Sequence, residues 1–231
     1  MTNTNQKNVS NIIAKITYAA ITLAIALIFN FISSYLNIFN FLQINLTLIP
    51  IFIASYILSW RWALLVSAIR FLISPLLFNY SNMLAVEYLG NLIIFLSHTF
   101  FISFYYLCYK LICKRKWDPH LKFLLSSLFS VPLTIILLTF LNTYIFNVIY
   151  FFMLGFLDKL SLTDLIRDYP MKFKAFFFNI STYQAGSWSL YSAFNIINLS
   201  INVFVISLFV LLDRKTKIFS NIKYRIHELQ Y

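Results

Sequence analysis

Six apolar runs, each broken by a short polar or basic segment, organise the chain. A membrane-spanning helix needs about 20 mostly apolar residues. On that criterion the pattern predicts helices over residues 12–36, 45–58, 62–78, 84–111, 122–146 and 188–212. The second is short, which predicts a tilt or a partly extended start. Ser59-Trp60-Arg61-Trp62 reads as a tight turn with interfacial tryptophans. The first run is too long for a signal-peptide core and lacks a small-residue cleavage site, so it reads as a retained helix. No heptad, solenoid or low-complexity repeat interrupts the pattern. The predicted fold is an all-α integral membrane protein with about six transmembrane helices, one domain over residues 1–231.

Composition agrees. The 231 residues are 61% apolar and 11% charged. An ordinary soluble domain is roughly 45–50% apolar and about 25% charged. A soluble enzyme, a disordered tail and a disulfide-rich secreted module are therefore excluded. The net charge of +11 would suggest nucleic acid in a soluble chain. Here the basic residues sit at the ends of apolar runs and the aromatic rings lie inside them, so no nucleic-acid partner is expected. Cys108 and Cys113 lack zinc-site spacing and read as reduced thiols near a membrane face.

Charge also orients the chain. With both termini cytoplasmic, the inner segments hold Lys7, Lys15, Arg61, Lys110, Lys114, Arg115, Lys116, Lys122 and the basic tail over 213–231. The outside keeps Lys159, Arg167, Lys172 and Lys174, diluted by Asp158, Asp164 and Asp168. This obeys the positive-inside rule. Outer loops fall at 37–44 and 79–83, and a long outer loop at 147–187 joins helices five and six. The tail predicts a basic helix lying at anionic headgroups. In the long loop, Ser161-Leu-Thr-Asp164 resembles a capping box and Pro170 ends the short helix it opens. Its many Phe residues fit a lid or pocket wall, and fit equally an amphipathic helix resting on headgroups.

Polar residues inside the runs are the candidate chemistry, because they are expensive in hydrocarbon. Glu87, Asn91 and His98 fall within an arc of roughly 40° on one helix. They suggest a ligand or ion site, with interhelical bonding as the plainer reading, favoured for His98. Asn195, Asn198 and Asn202 form a second stripe, suited to a planar heterocycle or to polar glue between helices. Asn142 and Tyr150 would add to an outward-facing pocket. Arg70 needs a partner or water, and Glu87 is a candidate. Ala20 and Ala24 form a small-xxx-small step that permits close helix approach. The glycines, Gly90, Gly155 and Gly186, cannot make a Walker A loop, and no HExxH or GxSxG motif occurs. No catalytic residue, metal site or cofactor is predicted.

Several segments in order resemble the substrate-binding S components of energy-coupling factor (ECF) vitamin transporters. Ala20-Ile-Thr-Leu-Ala24 resembles the family's AxxxA step, which contacts the transmembrane coupling subunit. Leu42-Gln-Ile-Asn-Leu-Thr-Leu-Ile-Pro50-Ile-Phe-Ile-Ala54 resembles the run into the second helix. Glu87-Tyr-Leu-Gly-Asn91 resembles the start of the fourth, Leu141-Asn142 through Tyr150 the close of the fifth, and Phe194-Asn195 the opening of the sixth. Riboflavin-binding members are most similar. The chain departs from them at Ser59-Trp60-Arg61-Trp62, where the family has a Gly-Pro-rich turn, at Ala193 in place of Pro, and at Asn198 in place of Lys. A Pro before Tyr150 is also absent.

The resemblance implies vitamin capture from outside by Gln43, Glu87, Asn91, Asn142, Tyr150, Asn195 and Asn198. It implies docking through Ala20 and Ala24 on the coupling (T) subunit, and ATP hydrolysis by a separate pair of ATPase subunits. The chain itself is then no enzyme, and its place is the cell membrane. Two rivals are a membrane enzyme, which needs Glu87, His98 and a third ligand converging on a metal, and a scaffold subunit with its Asn stripe buried against helices.

Overall fold

The computed structural model describes residues 2–39, 42–78 and 83–228. Residues 79–82 of the predicted outer turn, 40–41 of the 37–44 loop and 229–231 of the tail lie outside the described residues.

The elements run α1 (Thr2–Ser33), β1 (Asn37–Ile38), β2 (Leu42–Gln43), α2 (Leu48–Ile57), α3 (Trp60–Leu77), α4 (Leu84–Ile112), α5 (Pro119–Leu141), α6 (Asn147–Met153), α7 (Leu162–Asp168), α8 (Tyr183–Thr216) and α9 (Ile218–Glu228). Among the described residues, five stretches are long and apolar enough to cross a membrane: Asn11–Ser33, Trp60–Leu77, Leu84–Ile112, Pro119–Met153 and Tyr183–Thr216. This is the architecture of an all-α, multi-pass membrane protein.

The expected second span takes another form. Residues 44–46 form no helix, and α2 has ten residues, about 15 Å at 1.5 Å each. That is half the roughly 30 Å hydrocarbon layer. Eight of the ten are buried. A helix apolar on every face hides inside a bundle rather than facing one side. Leu48, Ile49, Ile51 and Phe52 accordingly sit at the centre of the main core, with Phe101, Ile102 and Tyr105 of α4 and Leu199 and Ile206 of α8.

The long outer loop is also more structured and shorter than expected. Helix five runs on through a π turn at Asn142–Phe146 into α6, and α8 begins at Tyr183. Residues 154–182 between them fold into a cap. Ser161 is the N-cap of α7 and accepts from the Asp164 backbone N–H at 3.2 Å. Pro170 lies in the first turn of the π segment Tyr169–Phe173, which follows directly on α7, so the α-helix ends at Asp168, just before it. A 3-10 turn, Lys174–Phe177, completes the cap. Phe151, Phe173, Phe177, Tyr169 and Tyr183 form its core. On its surface Asp168 holds Lys172 and Arg167, whose hydrogen bonds keep its carboxyl below the usual aspartate range.

At the opposite end α9 docks on the bundle. Asp213 accepts from the N–H groups of Phe219 and Ser220 at 2.7 and 3.1 Å and from Ser220 Oγ at 2.6 Å. Ile226 packs on Ile57 and Leu58. Lys223 lies 4.6 Å from the Tyr56 ring centre, and its burial there lowers its pKa.

Candidate functional site

The chain crosses from β2 into α2 through four non-helical residues, 44–47, and their polar groups organise the site. Asn45 Oδ1 accepts from the Thr47 N–H at 3.0 Å and from the Thr47 hydroxyl, the Asx turn that starts α2. The Asn45 N–H donates to Asn198 Oδ1 at 2.9 Å. The Asn45 carbonyl takes Asn202 Nδ2 at 2.8 Å. Leu46 N–H donates to Ser33 Oγ on α1 at 3.0 Å. Non-helical backbone inside a bundle must find such partners or lose several kcal/mol per group.

His98 extends this network. Its Nε2 lies 3.2 Å from Thr47 Oγ1 and its Nδ1 2.9 Å from Ser67 Oγ. One turn further along α3, Arg70 is fully buried and donates from Nη1 to Asn30 Oδ1 on α1 at 2.9 Å. Asn30 in turn donates to Ser74 Oγ at 3.0 Å. Asn30, rather than a carboxylate on α4, is the hydrogen-bond partner that orients the guanidinium. Among the described residues its Nε and Nη2 have no hydrogen-bond partner.

A partly open cavity of about 390 Å³, mouth included, lies beside this network. Its polar wall is Gln43, Asn45, Ser97, His98, Asn195 and Asn198. Ile93, Ile94, Leu138 and Phe194 make the apolar wall. An apolar cleft with a few converging polar groups is the usual form of a small-molecule site; most of the volume here is the open mouth, and the enclosed space is small. It carries no Asp, Glu, Lys or Arg. Asn45 and Asn195 are 6% and 4% exposed, and the Nδ2 of each has no hydrogen-bond partner among the described residues.

Of the residues predicted from sequence, the fold brings Gln43, Asn195 and Asn198 together at this cavity. The other four do not line it. Asn91 is buried and turns back to the Glu87 carbonyl at 3.0 Å. Glu87 is half-buried near the start of α4, which packs against α6. Asn142 bonds the Leu138 carbonyl of its own helix at 2.9 Å. Tyr150 packs against the aromatic core of the cap. The Asn stripe divides: Asn195 and Asn198 reach the cavity, while Asn202 is wholly buried and also bonds the Asn198 carbonyl at 2.8 Å. Ala20 and Ala24 are exposed on the outer face of α1.

Asn45, Ser97 and His98 complete the wall. Helical periodicity is blind to Asn45 because it is not helical; the signal was the Asn-x-Thr turn before an apolar helix. Among the described residues no three His, Cys, Asp or Glu converge on a common point.

The cap and hairpin meet above the site. Phe39 and Phe178, both at positive φ, pack edge to face with ring centres 5.1 Å apart. The hairpin that carries Gln43 is thereby tied to the cap.

Among curated proteins the chain is similar to an uncharacterized protein of Mycoplasma pneumoniae, the MG350.1 homolog. The two are 24% identical over 192 residues, covering 80% of this chain and 81% of that protein. No family model and no solved structure matches the chain.

Proposed function

We propose that the chain is the substrate-binding membrane subunit of an ECF-type vitamin importer, with riboflavin as the favoured cargo. The observation that carries this reading is the cavity where Gln43, Asn45, Asn195 and Asn198 converge between the hairpin, α4, α5 and α8. A site of neutral amides on an apolar floor suits a small polar heterocycle. The resemblance of five ordered sequence segments to S components supplies the family.

In this reading the chain lies in the cell membrane with both termini cytoplasmic, and α2 and its non-helical lead-in take the place of a second span. The cap over 154–182 is outside and the basic tail inside. Exposed Ala20 and Ala24 on α1 contact a transmembrane coupling subunit, and a pair of ATPase subunits supplies the energy. A second cargo, another vitamin or precursor, is favoured by two features. The cavity is small, and Asn198 stands where riboflavin-type members carry Lys.

The test is a titration of the purified, detergent-solubilised chain with riboflavin, followed by quenching of flavin fluorescence. Folate, thiamine, biotin and pantothenate serve as competitors. Saturable quenching by riboflavin alone supports the cargo. Binding of another vitamin keeps the transporter and changes the cargo. No binding by folded protein sinks the reading.

A further inference from the structure

The direction of one hydrogen-bond chain fixes what the cavity offers a ligand. A backbone N–H only donates. The Thr47 N–H meets the Asn45 side chain at 3.0 Å, so the atom it meets is the amide oxygen. That oxygen also takes the Thr47 hydroxyl proton. A hydroxyl whose proton is committed there accepts from His98 Nε2, 3.2 Å away. His98 therefore carries its hydrogen on Nε2, and Nδ1 accepts from Ser67 Oγ at 2.9 Å.

The same logic orients Asn198. Its Oδ1 takes the Asn45 backbone N–H at 2.9 Å. The Asn45 oxygen is filled by two donors and the Asn198 oxygen holds one, and the NH2 groups of both residues remain for a ligand in the cavity these residues line. Asn45 Nδ2 and Asn195 Nδ2 are buried, and among the described residues neither has a hydrogen-bond partner. A buried donor left unpaired is unfavourable, and a ligand acceptor relieves it. No charged side chain in the wall repays the desolvation of an ion.

We infer that the site selects a neutral ring through its hydrogen-bond acceptors, at least two carbonyl or ring-nitrogen atoms held by the amides of Asn45 and Asn198. Among the described residues no hydrogen bond orients the Asn195 amide, so it turns whichever end the ligand edge requires. His98 and Thr47 are positioning residues that hold Asn45 in this sense. The inference rests on the cavity being the ligand site of the proposed subunit, and adds the chemistry by which that site chooses.

The full chain in detergent is tested by equilibrium dialysis. Riboflavin, biotinamide and uracil are the neutral, acceptor-bearing probes, and thiamine is a cationic ring. At least one neutral probe should bind saturably, about tenfold or more tighter than thiamine. Preference for thiamine overturns the inference, and so does folded protein that binds none. Failure of riboflavin with binding of biotinamide or uracil removes the riboflavin cargo and supports the acceptor rule.

A second readout needs no ligand. Nitrogen-15 spectra of histidine-labelled protein, with His98 assigned through His98→Gln, should show the Nε2–H tautomer. The Nδ1–H tautomer overturns the orientation of Asn45 even if riboflavin binds. Thr47→Ser should hold affinity for the bound neutral probe within about twofold and keep the tautomer. Thr47→Val should lose about fivefold. Equal binding by the two variants overturns the positioning role.

Discussion

Asn202, in the middle of α8, donates to the Asn45 carbonyl at 2.8 Å across 157 positions of sequence. That bond and its neighbour from Asn45 N–H to Asn198 hold a non-helical segment inside a helical bundle. Asn202→Leu leaves the Asn45 carbonyl buried and unsatisfied. The expected loss is about 1–3 kcal/mol. Thermal unfolding in detergent should show it as a clear fall in midpoint, and an unchanged midpoint would mean that water replaces the amide.

Gly186 sits where α8 meets the cap, with no room for a side chain. A Cβ there would lie 2.5 Å from Tyr169 Oη and 2.9 Å from Phe177 Cβ. Tyr169 is pinned by its bond to the Ile180 carbonyl at 2.8 Å, so the cap must shift as a unit. Gly186→Ala should cost about 1–3 kcal/mol of overpacking and expose residues 154–182 to protease. Cleavage at the wild-type rate would refute this.

Acid should loosen the same cap from its surface. Asp168 has a depressed pKa, so its pairing with Lys172 and Arg167 is complete above the ordinary aspartate range and is lost as pH falls through the lowered value. Its partners Arg167 and Lys172 are exposed, so the effect is small. Hydrogen exchange of α7 should quicken below that pH, and Asp168→Asn should abolish the pH step.

Arg70 is a buried cation with one hydrogen-bond partner among the described residues, Asn30. Desolvating such a charge is costly, and apolar replacement of a buried ion is often neutral or stabilising. Arg70→Met should leave the thermal midpoint unchanged or raise it. Asn30→Leu, which strips the guanidinium of that bond, should lower it. A lower midpoint in both would indicate a further stabilising contact to Arg70.

Asp213→Ala removes the cap of α9 and should cost about 0.5–2 kcal/mol locally. Limited trypsin digestion should then cut at Lys217 and Lys223 faster, with the bundle intact. By contrast Ala20→Trp or Ala24→Trp, on the exposed face of α1, should leave ligand binding intact and abolish uptake; loss of binding would count against a docking role.

Length, apolar runs and charge were enough to determine a helical membrane protein, because burial in lipid demands helices of set length whatever their neighbours. They also marked the Ser161 cap and the Asn stripe, since both are local patterns. Tertiary structure decided the rest. Whether residues 48–57 span lipid or fill a core depends on what surrounds them, and the sequence reads alike for both. Which Asn residues meet is decided by chain crossing: Asn45 joins Asn198 only because a non-helical segment enters the bundle there. Asn91 and Asn142 looked equivalent to Asn195 on their helices, yet their amides turn back to their own backbones. Side-chain direction in a crowded interior is set by the nearest unmet donor or acceptor, and only the folded chain says which that is.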